Sequence, residues 1–585
     1  MVQKEAERTE AGPSTSDPTC SARGGACCAD WLWPCLCAAA LMAVAFMHAY
    51  RTVSGIRWPY DFDALRDVGT AQSILDGDYP GDYLYEGETL WYNPLVGAMV
   101  AVGSKVSGEA PHRVDVALGP FVNLLVPVSF FVLVSVLAGP WSALAALALF
   151  LFGVAPSRAT WLTATYSPWL FAPNFSLSLF FITLALCLSL RRTGWRGRIL
   201  IGIAWGITFI GHTAPAIMFG AILAILTLAQ ILLGNAEDGP WRARLPRSAL
   251  GFALSAAVAF IFSLPYTYSI LWRYRFRVRH FAPISYVDEC VTLKNLPHLL
   301  AESLSVFTLV AAIGLIAVAL SKPYARAKRV TLVWCTAATA FLAYSYACQW
   351  YMSTGASARV FEFMPGYHFL PYLAAAKSLL FGIGVSWLSQ AVAAFAKRIA
   401  PTRLQPFLTA KHRLVRNSLV LICTGVSCAS LYPTYVTWQE FSVTKDLAGY
   451  AAARESFEPI YAWIRANTRP SDVFLCTSVD DTVRIVGSAG RKAVAPMRYF
   501  ANIYVEYDNR AKARQDMLEA LRQGNIRAFR AYAEPYGVRF LLTRDDELGP
   551  AIKKAETCFV PRTRDGALAI YEVRQPAFVL RGTGD

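Results

Sequence analysis

The segment Trp31–Tyr50, WLWPCLCAAALMAVAFMHAY, decides the class of fold, because it is apolar and contains no acidic residue, lysine or arginine. About 20 mainly apolar residues are enough to cross the hydrocarbon core of a bilayer as a helix. The tail before it, residues 1–30, is polar and rich in Ser, Thr, Gly and Pro, so we predict a disordered cytoplasmic tail. This tail is long for the n-region of a signal peptide, and no clear cleavage site follows the apolar run. Both facts favour an uncleaved signal anchor.

Similar apolar runs recur along the chain, and together with the first they predict about eleven membrane-spanning helices. The composition agrees, since 55% of the 585 residues are hydrophobic and only 16% are charged. These values exclude a disordered chain, a fibrous chain and a small disulfide scaffold, and they disfavour a wholly soluble enzyme. The further runs lie at about Val116–Ala138, Trp141–Ala155, Pro168–Leu190, Ile199–Thr213, Ala216–Leu233, Ser248–Leu271, Leu299–Leu320, Val330–Cys348, Tyr367–Phe395 and Ser418–Tyr435.

Basic residues orient these predicted spans. The chain carries 55 Lys and Arg against 40 Asp and Glu, a net charge of +15. With the N-terminus in the cytoplasm, the predicted inner loops are basic and the long outer loop Arg51–Asp115 is acidic, as the positive-inside rule requires. We therefore expect a multi-pass protein of the plasma (inner) membrane. The basic inner loops are Arg191–Arg198, Gly234–Arg247, Lys322–Arg329 and Lys397–Arg416.

The chain changes character after Tyr435. Residues 31–435 form the predicted membrane module, whereas 436–585 contain no apolar run long enough to cross a bilayer. An amphipathic helix is predicted at Phe457–Thr468, and the pattern of short strands indicates an α/β domain. An odd number of spans places this domain outside the cytoplasm, where Cys476 and Cys558 could pair. The predicted strands are Val473–Cys476, Val538–Thr543 and Leu568–Val573.

The first outer loop contains the residues best suited to chemistry. It reads WPYDFDALRDVGTAQSILDGDYPGDYLYEGETLWYNPLV from Trp58 to Val96. Asp61 and Asp63 lie just past the first span, and Asp67 follows Asp63 by about one helical turn. Carboxylates held together near apolar surface can act as general bases or bind a divalent cation. The alternative is that Asp61 caps a helix while Asp63 and Asp67 face water.

The same loop carries a spaced pattern of residues that resembles the first outer loop of GT-C glycosyltransferases. In that family an Asp, often followed by Glu, stands early in the loop. Asp63 matches the Asp and Ala64 replaces the Glu, so either Asp61 or Asp67 would supply a second carboxylate. FEPIYAWIRANTRPSDVFLCT, with Gly490 and Arg491 downstream, is similar to the start of the C-terminal domain in bacterial members. The pattern in the loop is Asp63, then Ala71, Leu75 and Gly77, then Tyr92 and Pro94.

This resemblance implies a fold and a reaction. The fold would be a polytopic α-helical membrane protein with an extracytoplasmic α/β domain at its C-terminus. The enzyme would move a sugar from a polyprenyl-phosphate donor to a glycan, lipid or protein acceptor, with inversion and with Asp63 as the base. Relatives differ in whether they need a metal, so a divalent cation, Mg²⁺ or Mn²⁺, stays open here.

A basic segment breaks the charge rule on the outer side. Residues Arg273–His280 read RYRFRVRH, and the alternation predicts an extended segment with its cations on one side. Such a cluster suits an anion, and the phosphate of a lipid-linked donor is the natural candidate. Binding to anionic headgroups of membrane lipid and an inverted topology are the alternatives. Nucleic acid is disfavoured because the cluster adjoins a span. The basic residues are Arg273, Arg275, Arg277, Arg279 and His280.

Other polar residues fall at the predicted outer ends of spans. Arg359 and Glu362 could line the donor cavity with His368, or they could form a structural ion pair. His212 could also line that cavity, although a single His on an apolar helix is more often structural.

Two other classes of function compete with the glycosyltransferase. A flippase for lipid-linked sugars would place ionisable groups deep in the spans and show related halves, neither of which is evident. A non-catalytic membrane scaffold would leave the acids of the first outer loop without a purpose.

Overall fold

Helices make up the membrane part of the protein. The computed structural model describes residues 20–155, 162–170, 172–190, 193–233, 240–280, 294–298, 304–354 and 364–574. The helices up to residue 435 are α1 (Cys20–Val53), α2 (Phe62–Leu75), α3 (Leu95–Ser107), α4 (Pro111–Val122), α5 (Leu125–Ala138), α6 (Pro140–Phe152), α7 (Ala172–Leu190), α8 (Gly194–Gly211), α9 (Thr213–Leu233), α10 (Trp241–Tyr268), α11 (Val306–Leu320), α12 (Ala325–Ser353), α13 (Leu370–Ile399), α14 (Gln405–Ala410) and α15 (His412–Tyr435).

Among the described residues, eight helical stretches are long and apolar enough to cross a membrane. The predicted count of about eleven is not confirmed. The predicted span Trp141–Ala155 is the 13-residue helix α6, and the described part of the span predicted at Leu299–Leu320 is the 15-residue α11. Helix α8 begins with the polar sequence GWRGR and is not among the eight. The eight are Asp30–Val53, Pro111–Ala138, Ala172–Leu190, Thr213–Leu233, Trp241–Arg273, Ala327–Tyr351, Gly366–Ile399 and His412–Tyr435.

The N-terminal tail differs from its prediction in one respect. Helix α1 begins at Cys20, inside the segment predicted to be disordered. Residues 1–19 lie outside the described residues.

The C-terminal domain is built on a five-stranded mixed sheet in the order β2-β1-β3-β5-β4. Parallel pairs join β1 to β2 and to β3, and antiparallel pairs join β5 to β3 and to β4. The strands are β1 (Val473–Cys476), β2 (Lys492–Ala493), β3 (Val538–Arg544), β4 (Phe559–Asp565) and β5 (Leu568–Val573). The helices of this domain are α16 (Leu447–Glu455), α17 (Glu458–Asn467), α18 (Val479–Asp481), α19 (Tyr507–Arg522), α20 (Ile526–Ala533) and α21 (Asp545–Lys554).

The sequence predicted much of this domain. The strand predicted at Val473–Cys476 and the one at Leu568–Val573 have the predicted bounds, and β3 extends one residue beyond its prediction. The suggested disulfide is wrong, because Cys476 and Cys558 are free thiols, both buried.

Helix α2 lies between the membrane part and the C-terminal domain. Leu65 belongs to a hydrophobic cluster with Ile460, Phe474 and Val486 of the C-terminal domain. Ala71 belongs to a different cluster that is formed with α3 and α7. Helix α2 therefore buries one face against each part of the molecule, which fixes the position of the acidic residues it carries.

Candidate functional site

Asp61 caps the N-terminus of α2. Its backbone is extended, with φ −101° and ψ 150°, and its side chain accepts a hydrogen bond from the backbone N–H of Asp63 at 2.9 Å. An aspartate in this position satisfies one of the free N–H groups of the first helical turn. The helix-cap interpretation of Asp61 is therefore confirmed.

A buried arginine, Arg66, lies between Asp63 and Asp67. Arg66 donates from Nη1 to Oδ1 of Asp63 at 2.7 Å, and its Nε lies 3.9 Å from Oδ1 of Asp67. The guanidinium also stacks 3.4 Å from the ring centroid of Tyr92. The side chain of Arg66 is 5% exposed, whereas that of Asp63 is 30% exposed. Asp63 is thus held by a fixed cation and still reaches solvent.

Asp67 is buried, so the expectation that it faces water is wrong. Burial raises the pKa of Asp67 to about 7, although the charge of Arg66 favours the ionised form. Its Oδ2 has no hydrogen-bond partner, and neither has Oδ2 of Asp115, a buried residue of α4 that interacts electrostatically with Asp67. Asp63 is therefore partly exposed and paired with a cation, whereas Asp67 is buried and has one unpaired carboxylate oxygen.

The C-terminal domain holds the loop that follows α2. Arg491 binds Asp76 at 2.5 Å, and Lys492 binds Asp78 at 2.6 Å and also donates to the backbone oxygen of Asp82. Asn502 donates to Oδ2 of Asp82 at 2.8 Å. Arg491 and Lys492 are almost wholly buried. These contacts form an electrostatic clamp, by which we mean Arg491, Lys492 and their three acidic partners.

The basic segment Arg273–His280 does not have the predicted extended form. Ser269–Arg273 continues α10 as a π-helical turn, and Arg275 and Phe276 have φ of 51° and 55°. Because the chain turns through the left-handed region there, alternate residues do not project from one side.

Three of the five basic side chains in that segment have protein partners. Arg273 donates to the backbone oxygen of Gly87 and lies 3.5 Å from Glu88. Arg279 lies 3.2 Å from Glu506. His280 is buried, with its Nε2 2.9 Å from the backbone oxygen of Asn502. Arg275 and Arg277 are exposed.

A small cleft lies at the ends of α7, α8 and α13. His212 and His368 line it with their ring centroids 5.2 Å apart. Asn174 and Tyr372 also line it. The ring of His212 is 6.1 Å from that of Tyr92, on which Arg66 stacks. A chain of contacts thus links His212 through Tyr92 and Arg66 to Asp63. Arg359 and Glu362 lie outside the described residues.

Comparison with known proteins identifies the fold of the chain. No family model matches the sequence, and no curated protein matches it either. The crystal structure of ArnT from Cupriavidus metallidurans bound to undecaprenyl phosphate is similar, with a TM-score of 0.50, 12% identity, and coverage of 91% of this chain and 97% of that chain. The apo structure of ArnT gives the same TM-score and coverage at 13% identity. The chain has the GT-C fold.

Another similar structure is the oligosaccharyltransferase of Archaeoglobus fulgidus with a tethered acceptor peptide, at a TM-score of 0.48 and 13% identity over 92% of this chain and 74% of that chain.

The similarity to ArnT and the observed elements confirm the predicted fold class, a polytopic α-helical GT-C fold with a C-terminal α/β domain.

The candidate site contains residues that the sequence analysis did not identify. Arg66 stands three residues after Asp63, a spacing that brings two side chains together on a helix and could have identified it. Asp115 and the unpaired state of Asn174 have no such signal, because both depend on how distant helices pack.

The residues around Asp63 fit a divalent cation poorly. The guanidinium of Arg66 already lies between the carboxylates of Asp63 and Asp67. In the described part of the chain, no group of three or more His, Cys, Asp or Glu side chains could hold a metal ion.

Proposed function

We propose that the protein is an integral-membrane glycosyltransferase that moves a sugar from a polyprenyl-phosphate donor to an extracytoplasmic acceptor with inversion. One observation carries the proposal: Asp63, partly exposed, is held by the buried Arg66 within a GT-C fold. The similar ArnT structure contains undecaprenyl phosphate, which supports a lipid-phosphate leaving group for this chain. The acceptor is a glycan, a lipid or a protein.

Asp63 acts as the general base. It takes the proton of an acceptor hydroxyl while that oxygen forms a bond to the anomeric carbon. The bond from this carbon to the donor phosphate breaks, and the electron pair leaves with the lipid phosphate. One base and one direct displacement give inversion. Arg66 orients the carboxylate of Asp63 through their 2.7 Å hydrogen bond.

Asp67 supports this arrangement as the second carboxylate. Its burial beside Arg66 makes it part of the fixed charge pattern under Asp63, and its distance from solvent makes it unsuitable as the base. Asp61 keeps α2 capped, so it positions Asp63 through the backbone of the first turn.

Exposed cations supply the site for the lipid phosphate. Arg275 and Arg277 are both exposed, and we assign them to the donor phosphate together with Arg359. Arg273 forms an ion pair with Glu88, and Arg279 forms one with Glu506. Their main effect is therefore to fix the position of the segment Arg273–His280. The alternative, that these arginines bind anionic headgroups, predicts that their loss leaves donor affinity unchanged.

Replacement of the base tests the proposal. Asp63→Asn should reduce transfer by about 10²–10⁴-fold, the usual contribution of general acid–base catalysis. Asp61→Asn is the matched control, because asparagine caps a helix as well as aspartate does. Mass spectrometry of surface glycans in a deletion strain that expresses each variant measures the effect, with membrane insertion checked by immunoblot. Full activity of Asp63→Asn would refute the assignment, and a loss confined to Asp61→Asn would move the base to Asp61.

A further inference from the structure

The guanidinium of Arg66 makes few hydrogen bonds for a group that orients the proposed base. Its Nη1 donates to Oδ1 of Asp63 at 2.7 Å, and its Nε lies 3.9 Å from Oδ1 of Asp67, too far for a hydrogen bond. Among the described residues, the buried Nε and Nη2 of Arg66 have no hydrogen-bond partner. A single hydrogen bond fixes a distance but lets the plane of a guanidinium turn about it. A further contact is therefore needed to fix that plane.

The ring of Tyr92 supplies this contact. Cζ of Arg66 lies 3.4 Å from the centroid of the ring, so the cation lies against the ring face. The face of an aromatic ring attracts a cation, and the attraction is stronger when the pair is removed from water. The side chain of Arg66 is buried. Because a guanidinium is planar, stacking on the ring sets the direction of all its N–H groups together.

The two neighbours of Tyr92 attach it to the membrane part of the protein. The backbone oxygen of Trp91 accepts a hydrogen bond from the hydroxyl of Tyr266 in α10 at 2.9 Å. The side-chain amide of Asn93 donates to the backbone oxygen of Phe209 in α8 at 2.6 Å. Trp91 and Asn93 are both buried. Two helices other than α2 therefore hold the chain on either side of the ring.

The stacked guanidinium connects this ring to the base. Arg66 and Asp63 both belong to α2, whereas Tyr92 is held by α8 and α10. The carboxylate of Asp63 therefore takes its position relative to the membrane helices through Arg66. A lipid-linked donor is embedded among membrane lipids, so its anomeric carbon is presented in the same frame of reference.

We propose that Tyr92 is a positioning residue of the transfer reaction: its ring face holds the plane of Arg66 and thereby the carboxylate of Asp63. The inference rests on the proposed function. The role belongs to the ring and not to the hydroxyl, since Arg66 lies over the centroid. A displacement of ~1 Å at a reacting group can lower a rate about 10²-fold. Loss of the ring should therefore slow transfer without weakening donor binding.

Substitutions at Tyr92 test the role of its ring. Tyr92→Leu keeps an apolar side chain and loses the aromatic face, so the transfer rate should fall by about ten- to hundred-fold. Tyr92→Phe keeps the face, so its rate should lie within about three-fold of the wild-type rate. The rate is the initial increase in modified surface glycan, measured by mass spectrometry after each variant is induced in the deletion strain. Undecaprenyl phosphate is the binding probe, and its affinity for the purified full-length protein should be equal in both variants.

Tyr536→Leu is the matched control. Tyr536 is also a half-buried tyrosine with an arginine over its ring, since Cζ of Arg510 lies 5.5 Å from the ring centroid. The hydrophobic cluster that it packs against lies wholly within the C-terminal domain. Tyr536→Leu should keep the transfer rate when the rate is compared at equal protein level by immunoblot.

A double-mutant cycle tests whether Tyr92 acts through Arg66. Arg66→Lys keeps the charge and loses the planar group that stacks. In that background Tyr92→Leu should lower the rate by no more than about three-fold, because coupled residues are not additive. Thermal unfolding in detergent gives the same cycle without any need for activity. The loss of apparent melting temperature in the double variant should be smaller than the sum of the two single losses.

Several results would overturn this role of Tyr92. They are wild-type transfer by Tyr92→Leu, an equal loss in Tyr92→Phe, weaker binding of undecaprenyl phosphate by Tyr92→Leu, and additive losses in the thermal cycle. In each case the proposed base stands as long as Asp63→Asn has lost transfer. Full transfer by Asp63→Asn would instead refute the base, whatever the variants of Tyr92 show.

Discussion

Asp67 makes the stability of the protein depend on pH. Burial raises its pKa from 3.8 to about 7. The folded protein therefore binds more protons than the unfolded chain between these two pH values. The free energy of unfolding consequently falls as the pH rises from about 4 towards 7. The loss amounts to at most about 1.4 kcal/mol per pH unit.

We predict that Asp67→Asn removes this pH dependence, because the amide has the same shape and does not ionise. The variant should gain apparent melting temperature over the wild type at pH 8, with the gain shrinking towards pH 4. Thermal unfolding in detergent at several pH values measures it. Parallel curves for the two proteins would show that Asp67 does not titrate in this range.

Some residue environments could be predicted from the sequence, and others could not. The cap at Asp61 could be predicted, because it depends on local helical geometry. The burial of Asp67 could not, since it is set by helices that are distant in sequence. The unpaired amide of Asn174 is invisible for the same reason.

At the scale of elements, α2 depends on a close approach that only glycine allows. A Cβ at Gly69 would lie 2.5 Å from the backbone oxygen of Gly487 and 2.6 Å from the ring of Tyr83. The backbone of α2 could not then keep its contact with the C-terminal domain.

We predict that Gly69→Ala destabilises the protein by about 1–3 kcal/mol, the usual cost of overpacking, and that it lowers transfer because α2 carries Asp63. The control is Gly425→Ala in α15, where a Cβ meets no atom within 4 Å. That variant should be neutral, or more stable by up to about 1 kcal/mol, since alanine favours helix. Apparent melting temperature and transfer measure both, and equal behaviour of the two variants would contradict the prediction.

Helices and strands could be predicted where the pattern of apolar residues is local. The prediction failed where the conformation depends on other parts of the molecule. Strands β1 and β5 are continuous or alternating apolar runs and could be found. Strand β4 contains Pro561, Arg562 and Arg564 among few apolar residues, so its sequence resembles a loop. The alternation in Arg273–His280 predicted an extended segment, but backbone turns at Arg275 and Phe276 override it.

For the whole molecule, the sidedness of the membrane is the main prediction that follows from the sequence. The basic loops predict that the N-terminus lies in the cytoplasm and the C-terminal domain outside it. Alkaline phosphatase fused after Arg574 should be active, because its disulfides form only in an oxidising compartment. The same enzyme inserted in Lys322–Arg329 should be inactive. Activity at the inner loop and none at the C-terminus would invert the topology.

The clamp formed by Arg491 and Lys492 also has a consequence for the order of synthesis. Lys492 and its partner Asp78 are 414 residues apart in the chain. At ~5–20 residues per second, roughly 20–80 s pass between their appearance at the ribosome. The first outer loop therefore leaves the translocon with three acids whose partners do not yet exist. A premature stop after the last span would leave a membrane bundle whose first loop lacks the C-terminal partners of Asp76, Asp78 and Asp82.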